Sequence, residues 1–88
     1  MKLRGEFIVR QIIDQTIALP VGQTALALNG MIVLNDVSKV IWNCLEQGTT
    51  LARITNAVVD RFEVSEQEAR QDILEFLDQL RAAQLWDE

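Results

Sequence analysis

Ala25-Leu-Ala-Leu-Asn-Gly-Met-Ile-Val-Leu-Asn35 decides how the rest of this chain is read. The pattern is an apolar run, an Asn29-Gly30 pair, a second apolar run and then Asn35 as a helix cap. An Asn-Gly pair between apolar runs is a strong hairpin signal, because both central residues of the favoured turn need positive φ. The spacing therefore predicts strands over Ala25–Leu28 and Met31–Leu34. If either strand ends the sheet, its outer row of backbone N–H and C=O groups is free to pair with another chain. Which of the two is the exposed edge stays open at this level.

Upstream, Phe7-Ile-Val-Arg-Gln-Ile-Ile13 mixes β-branched and polar residues, as a strand with Phe7, Val9 and Gln11 on one face. Asp14-Gln15 offers a two-residue turn, and Thr16-Ile-Ala-Leu-Pro20 runs back until Pro20, which lacks an N–H, ends or bulges it. From Asn35 the apolar period changes from 2 to 3.6. Asn35 or Asp36 caps a first helix carrying Val37, Val40, Ile41, Cys44 and Leu45, and Gly48 stops it. Thr50 caps a second helix with Leu51, Ile54, Ala57, Val58 and Phe62 on one stripe. Ser65-Glu-Gln-Glu68 has the form of a capping box, and the third helix turns Ala69, Ile73, Phe76, Leu77 and Leu80 inward to about Ala83. Leu85-Trp86 then closes that helix against the body, with Trp86 as a staple. Strands followed by helices indicate one α+β domain over residues 1–88, winged helix-turn-helix-like, with three or four antiparallel strands before three helices.

Composition removes several function classes. The chain has 88 residues, 49% of them apolar, and a net charge of −5. A domain of this size holds one modest core, burying roughly 60–65% of its unfolded surface. The winged-helix outline evokes DNA binding, yet residues 65–83 carry five acids (Glu66, Glu68, Asp72, Glu75, Asp78) against two bases (Arg70, Arg81), a net of −3. Phosphate contacts supply most of the affinity for nucleic acid, so such a helix is repelled. An anionic membrane is disfavoured for the same reason. With no His, no Tyr and one Cys, the usual general base, zinc ligands and Cys–His pair are missing, and neither catalysis, a metal nor a cofactor is expected. Cys44 falls in a helical apolar stripe and reads as a small buried hydrophobe. The lone cysteine excludes an intrachain disulfide, and the absence of a signal segment or transmembrane-length run gives a cytoplasmic expectation. Met31 reads as core filler, and Trp42, off the centre of its helical stripe, as a mostly buried boundary residue.

The broad apolar side of the third helix reads first as a wide core-facing face; beside a free strand edge, its remainder would border a groove of the kind used for β-strand addition of a peptide. Taken in order, several segments carry a family resemblance. They are Gly5-Glu-Phe-Ile-Val-Arg10, Asn29-Gly-Met-Ile-Val-Leu-Asn35, Val40-Ile-Trp-Asn-Cys-Leu45, Glu46-Gln-Gly-Thr49, Phe62-Glu-Val-Ser65, Asp72-Ile-Leu-Glu-Phe-Leu77 and Ala82-Ala-Gln-Leu85. Over essentially its whole length the chain resembles the coenzyme pyrroloquinoline quinone synthesis protein D (PqqD) family, recognition elements for ribosomally made, post-translationally modified peptides. The segment Gly22 to Ala25 is longer here than in the shortest members.

The resemblance implies a three-stranded winged-helix-like fold that binds the leader of a precursor peptide as an added strand and presents it to a modifying enzyme, commonly a radical S-adenosylmethionine protein. Carried onto this chain, the peptide site is Met31, Ile32, Val33 and Leu34 with Ala69, Ile73, Phe76 and Leu80 of the third helix; Leu77 shares that helix face. Arg70 and Arg81 are candidates to meet leader carboxylates, against a plainer reading as solvated charges. No catalytic residue is required. The alternative is a structural or transcription-associated winged-helix module, dimerising through the same edge.

Overall fold

A computed structural model describes residues 1–28 and 30–87, with Trp86 and Asp87 described by backbone alone. Three strands form the main sheet: β2 (Phe7–Ile12), β3 (Gln15–Pro20) and β4 (Ile32–Leu34), in the order β2-β3-β4 with β3 central. All pairings are antiparallel. Thr16, Ala18 and Leu34 are buried, with Thr16 opposite Leu34 and Ala18 opposite Ile32. The elements preceding and following this sheet are the short strand β1 (Lys2–Leu3), helices α2 (Asp36–Gln47), α3 (Leu51–Phe62) and α4 (Glu66–Ala82), and β5 (Trp86–Asp87), which pairs with β1. A five-residue helix, α1 (Gln23–Ala27), bridges β3 and β4.

The α+β architecture with three helices after the sheet is as the sequence predicts, but the expected strand over Ala25–Leu28 is not formed. Ala and Leu are strong helix formers and Ala is depleted in strands, so this run has no intrinsic reason to extend. Thr24 also ties α1 down: its Oγ1 accepts from the Glu6 N–H at 2.8 Å, while its carbonyl accepts from the Leu28 N–H at 3.0 Å. The strand at 32–34 pairs instead with β3, starting one residue later than Met31. Asn29, half of the expected turn, lies outside the described residues; Gly30 has φ 104°, a conformation L side chains rarely adopt.

The first hairpin differs by one residue from expectation. Ile12 pairs with Gln15, so Ile13-Asp14 is the two-residue loop in place of Asp14-Gln15. The observed register sets Val9 opposite Ala18, which is 0% exposed, and Phe7 opposite Pro20. A turn one residue later would bring Gln11 beside Ala18. The observed register keeps an apolar residue, 41% exposed Val9, beside Ala18 where a polar one would fall, and leaves Ile13 at φ 59°.

Helix boundaries follow the capping residues. Asn35 and Ser38 form a reciprocal box: the Ser38 N–H donates to Asn35 Oδ1 and the Asn35 N–H to Ser38 Oγ, both at 2.8 Å. Thr50 Oγ1 accepts from the Arg53 N–H at 3.2 Å, and Ser65 Oγ from the Glu68 N–H at 3.1 Å. Gly48 ends α2 with φ 82°. The core draws on every layer: Ala18 and Leu34 from the sheet, Ile41, Trp42 and Leu45 from α2, Ile54 and Val58 from α3. Ala69, Ile73, Phe76, Leu77 and Leu80 of α4 complete it, with Leu85 beyond. Full burial of each large side chain stabilises the fold by about 1.5–3 kcal/mol. Trp42, 1% exposed, is a core residue, with the Phe7 ring packed edge-on against it. Met31, in contrast, is 56% exposed, so it does not fill the core. The staple expected of the Trp86 side chain lies outside the described residues; the backbone there joins β1, where the Arg4 N–H donates to the Leu85 carbonyl at 2.7 Å.

Candidate functional site: a groove beside the free edge of the sheet

β4 has β3 on one side and no strand on the other among the described residues. In an extended strand, N–H and C=O groups of successive residues point to opposite sides. Either Val33, or Ile32 and Leu34, therefore directs its backbone donor and acceptor away from β3. This edge is three residues long and opens onto a groove of about 410 Å3.

The walls of the groove come from three elements. Val33 and Asn35 lie at the strand end; Val37, Ser38 and Ile41 contribute from the first turns of α2; Asp72, Glu75, Phe76 and Gln79 contribute from α4. The α4 residues are spaced i, i+3, i+4 and i+7, the signature of one helix face. That face is offset from the buried one, and only Phe76, 8% exposed, belongs to both. The capping box fixes where α2 begins, so Val37 and Ile41 are held at the groove while Asn35 and Ser38 satisfy each other. The surface offered is acidic along α4, mixes polar and apolar side chains at its base, where Ile41 and Phe76 show only their edges, and is lined by open backbone at β4.

The ten residues expected to form a peptide site separate into four groups. Val33 and Phe76 line the groove. Ile32 is half-buried and Met31 exposed, both at or beside the edge, while Leu34 turns into the core. Ala69, Ile73, Leu77 and Leu80 are buried in the core, so they support α4 from behind. Arg70 lies on another face of α4, lining a shallow hollow with Leu51, Ala52 and Glu66. Sequence reasoning counts Asp72 and Glu75 only towards the charge of the helix and passes over Gln79, although all three line the groove. Their spacing around Phe76 was the available signal.

Catalytic chemistry has little to work with in the groove: its titratable side chains are the carboxylates Asp72 and Glu75. Cys44 is half-buried on α2, and burial pushes its thiol above the usual value, favouring the protonated, less nucleophilic form. No group of three or more His, Cys, Asp or Glu residues is placed to hold a metal ion among the described residues, and no described helix is long and apolar enough to cross a membrane.

The fold has a counterpart among solved structures. Over 100% of both chains it matches, with a TM-score of 0.74 and 22% sequence identity, the structure described as TbiB1 in complex with the TbiA(beta) leader peptide. No curated protein matches the chain. The family model for coenzyme PQQ synthesis protein D (PqqD) matches residues 9–85, from within β2 through the groove and all three long helices, and the chain belongs to that family.

Proposed function

We propose that this protein binds the leader segment of a ribosomally made precursor peptide by strand addition to β4 and presents it to a modifying enzyme. The observation that carries the reading is the juxtaposition of the free β4 edge with the groove lined by Val33, Val37, Ile41 and Phe76. Backbone hydrogen bonds along β4 supply affinity, and the groove receives alternate side chains of the added strand. Membership of the PqqD family supports this reading, as does a fold shared with a protein solved with a leader peptide.

The adaptor is not itself an enzyme; the chemistry belongs to a partner, which we assign to the radical S-adenosylmethionine class. Met31 and Ile32 flank the added strand, Val33 and Phe76 touch it, and Ala69, Ile73, Leu77 and Leu80 hold α4 in place. The protein acts in the cytoplasm, where its precursor is synthesised. Titration of isotopically labelled protein with the leader of a precursor encoded beside its gene tests the reading. Amide shifts are expected at Ile32–Leu34 and around Phe76. Unchanged spectra at high micromolar peptide would overturn it, and a concentration-dependent mass in solution would assign the edge to a second copy.

A further inference from the structure

Resting on the strand-addition reading, we propose that the segment bound along β4 carries a lysine or arginine that sits over Asp72 and Glu75. The free edge and groove make the site; the two carboxylates set what it prefers. Both side chains are exposed on the groove wall, and neither forms an ion pair among the described residues. Like charges three residues apart on a helix repel each other, and a cation seated between them removes that repulsion.

The groove contains no cation of its own. None of its lining residues is Lys or Arg. Lys39, on the neighbouring helix, is held by Asp36 at 3.3 Å and lines a separate hollow with Arg61. Arg70 faces away on the opposite side of α4. An acidic segment entering the groove would meet two uncompensated carboxylates beside a chain of net charge −5.

Strand geometry sharpens the preference. Same-face residues of an added strand repeat every second position, about 6.6–6.8 Å apart. One groove-facing position over Asp72 and Glu75 therefore leaves the next, two residues away, over the apolar side chains Val37, Ile41 and Phe76 at the base. The recognised segment has a cation and an apolar residue separated by one residue, in either order.

A display library of random 12-residue peptides, selected on the intact protein, tests this. Binders are expected to be enriched in Lys or Arg with an apolar residue two positions away, and to shift the amides of Ile32–Leu34. Replacing Asp72→Asn with Glu75→Gln should weaken a selected binder about tenfold, and added salt should weaken the native pair in the same direction. Replacing Asp72→Lys with Glu75→Lys should turn the selection towards Asp and Glu. Both variants alter exposed side chains, and circular dichroism checks their fold. Binders that shift Ile32–Leu34 without a cationic bias would overturn the charge preference while leaving strand addition intact. Binders that map elsewhere, or none at all, would overturn both.

Discussion

The Phe7 ring meets the Trp42 indole edge-on, with centroids 5.0 Å apart and planes at 89°. This pair fastens the first strand of the sheet to the first long helix, on which the groove depends. Phe7 is half-buried and Trp42 is fully enclosed. Phe7→Ala is expected to destabilise the fold by about 2–4 kcal/mol, combining lost burial with the lost ring contact. Urea unfolding with an unchanged slope, together with a weakened near-ultraviolet circular dichroism signal, checks it.

Ile13 sits at the tip of the first hairpin with φ 59° and is 92% exposed. A β-branched residue is strained there and has almost no packing to lose. Ile13→Asn is therefore expected to stabilise the protein by about 1 kcal/mol, since Asn tolerates the left-handed region. An unchanged or lower urea midpoint would contradict this.

The Asn35–Ser38 box both starts α2 and closes one end of the groove. Asn35→Ala is expected to cost about 1 kcal/mol, and Ser38→Ala a similar amount. Because the Ser38 hydroxyl also donates to Asn35 Oδ1 at 3.0 Å, a bond that either single variant already removes, the double variant should cost less than the sum of the two. A double-mutant cycle by chemical denaturation reads this coupling.

Proline scanning of the edge separates binding from folding. Of Ile32→Pro and Val33→Pro, one removes an N–H bonded to β3 and the other an N–H that faces outward. The first is expected to lower stability and the second to abolish peptide binding with a smaller change in urea midpoint. Retained binding by both folded variants would place the peptide elsewhere.

Cys44 combines half-burial with a thiol pKa raised by desolvation. At pH 7.5 its alkylation by iodoacetamide should lag well behind that of a free cysteine and catch up in urea. Equal rates with and without denaturant would show the site to be open.

The helices were legible because each announces itself locally. Asn35, Thr50 and Ser65 are capping residues followed by apolar positions at helical spacing, and all three cap in the structure. Strand pairing was harder, since partners lie far apart in the chain. The Asn29-Gly30 signal suggested a local hairpin, whereas the partner of Val33 is Ile17, and the segment between folds into a short helix. β1 and β5 join residues more than eighty positions apart, which no local pattern reports. On α4 the period identified Ala69, Ile73, Phe76, Leu77 and Leu80 as one face, but could not separate core from groove. That distinction depends on where β4 stops, which leaves Phe76 at the boundary and Asp72, Glu75 and Gln79 beside it.

The shortness of β4 has a kinetic consequence. Three edge residues can form only a handful of backbone bonds with an incoming strand, each contributing about 0.5–1.5 kcal/mol net. Such a contact holds its guest briefly, and affinity differences of this kind reside mainly in the dissociation rate. A recognition domain must give up each leader once the attached segment has been modified, or it is spent on its first customer. On the strand-addition reading proposed above, the brevity of β4 favours release and reuse of the protein.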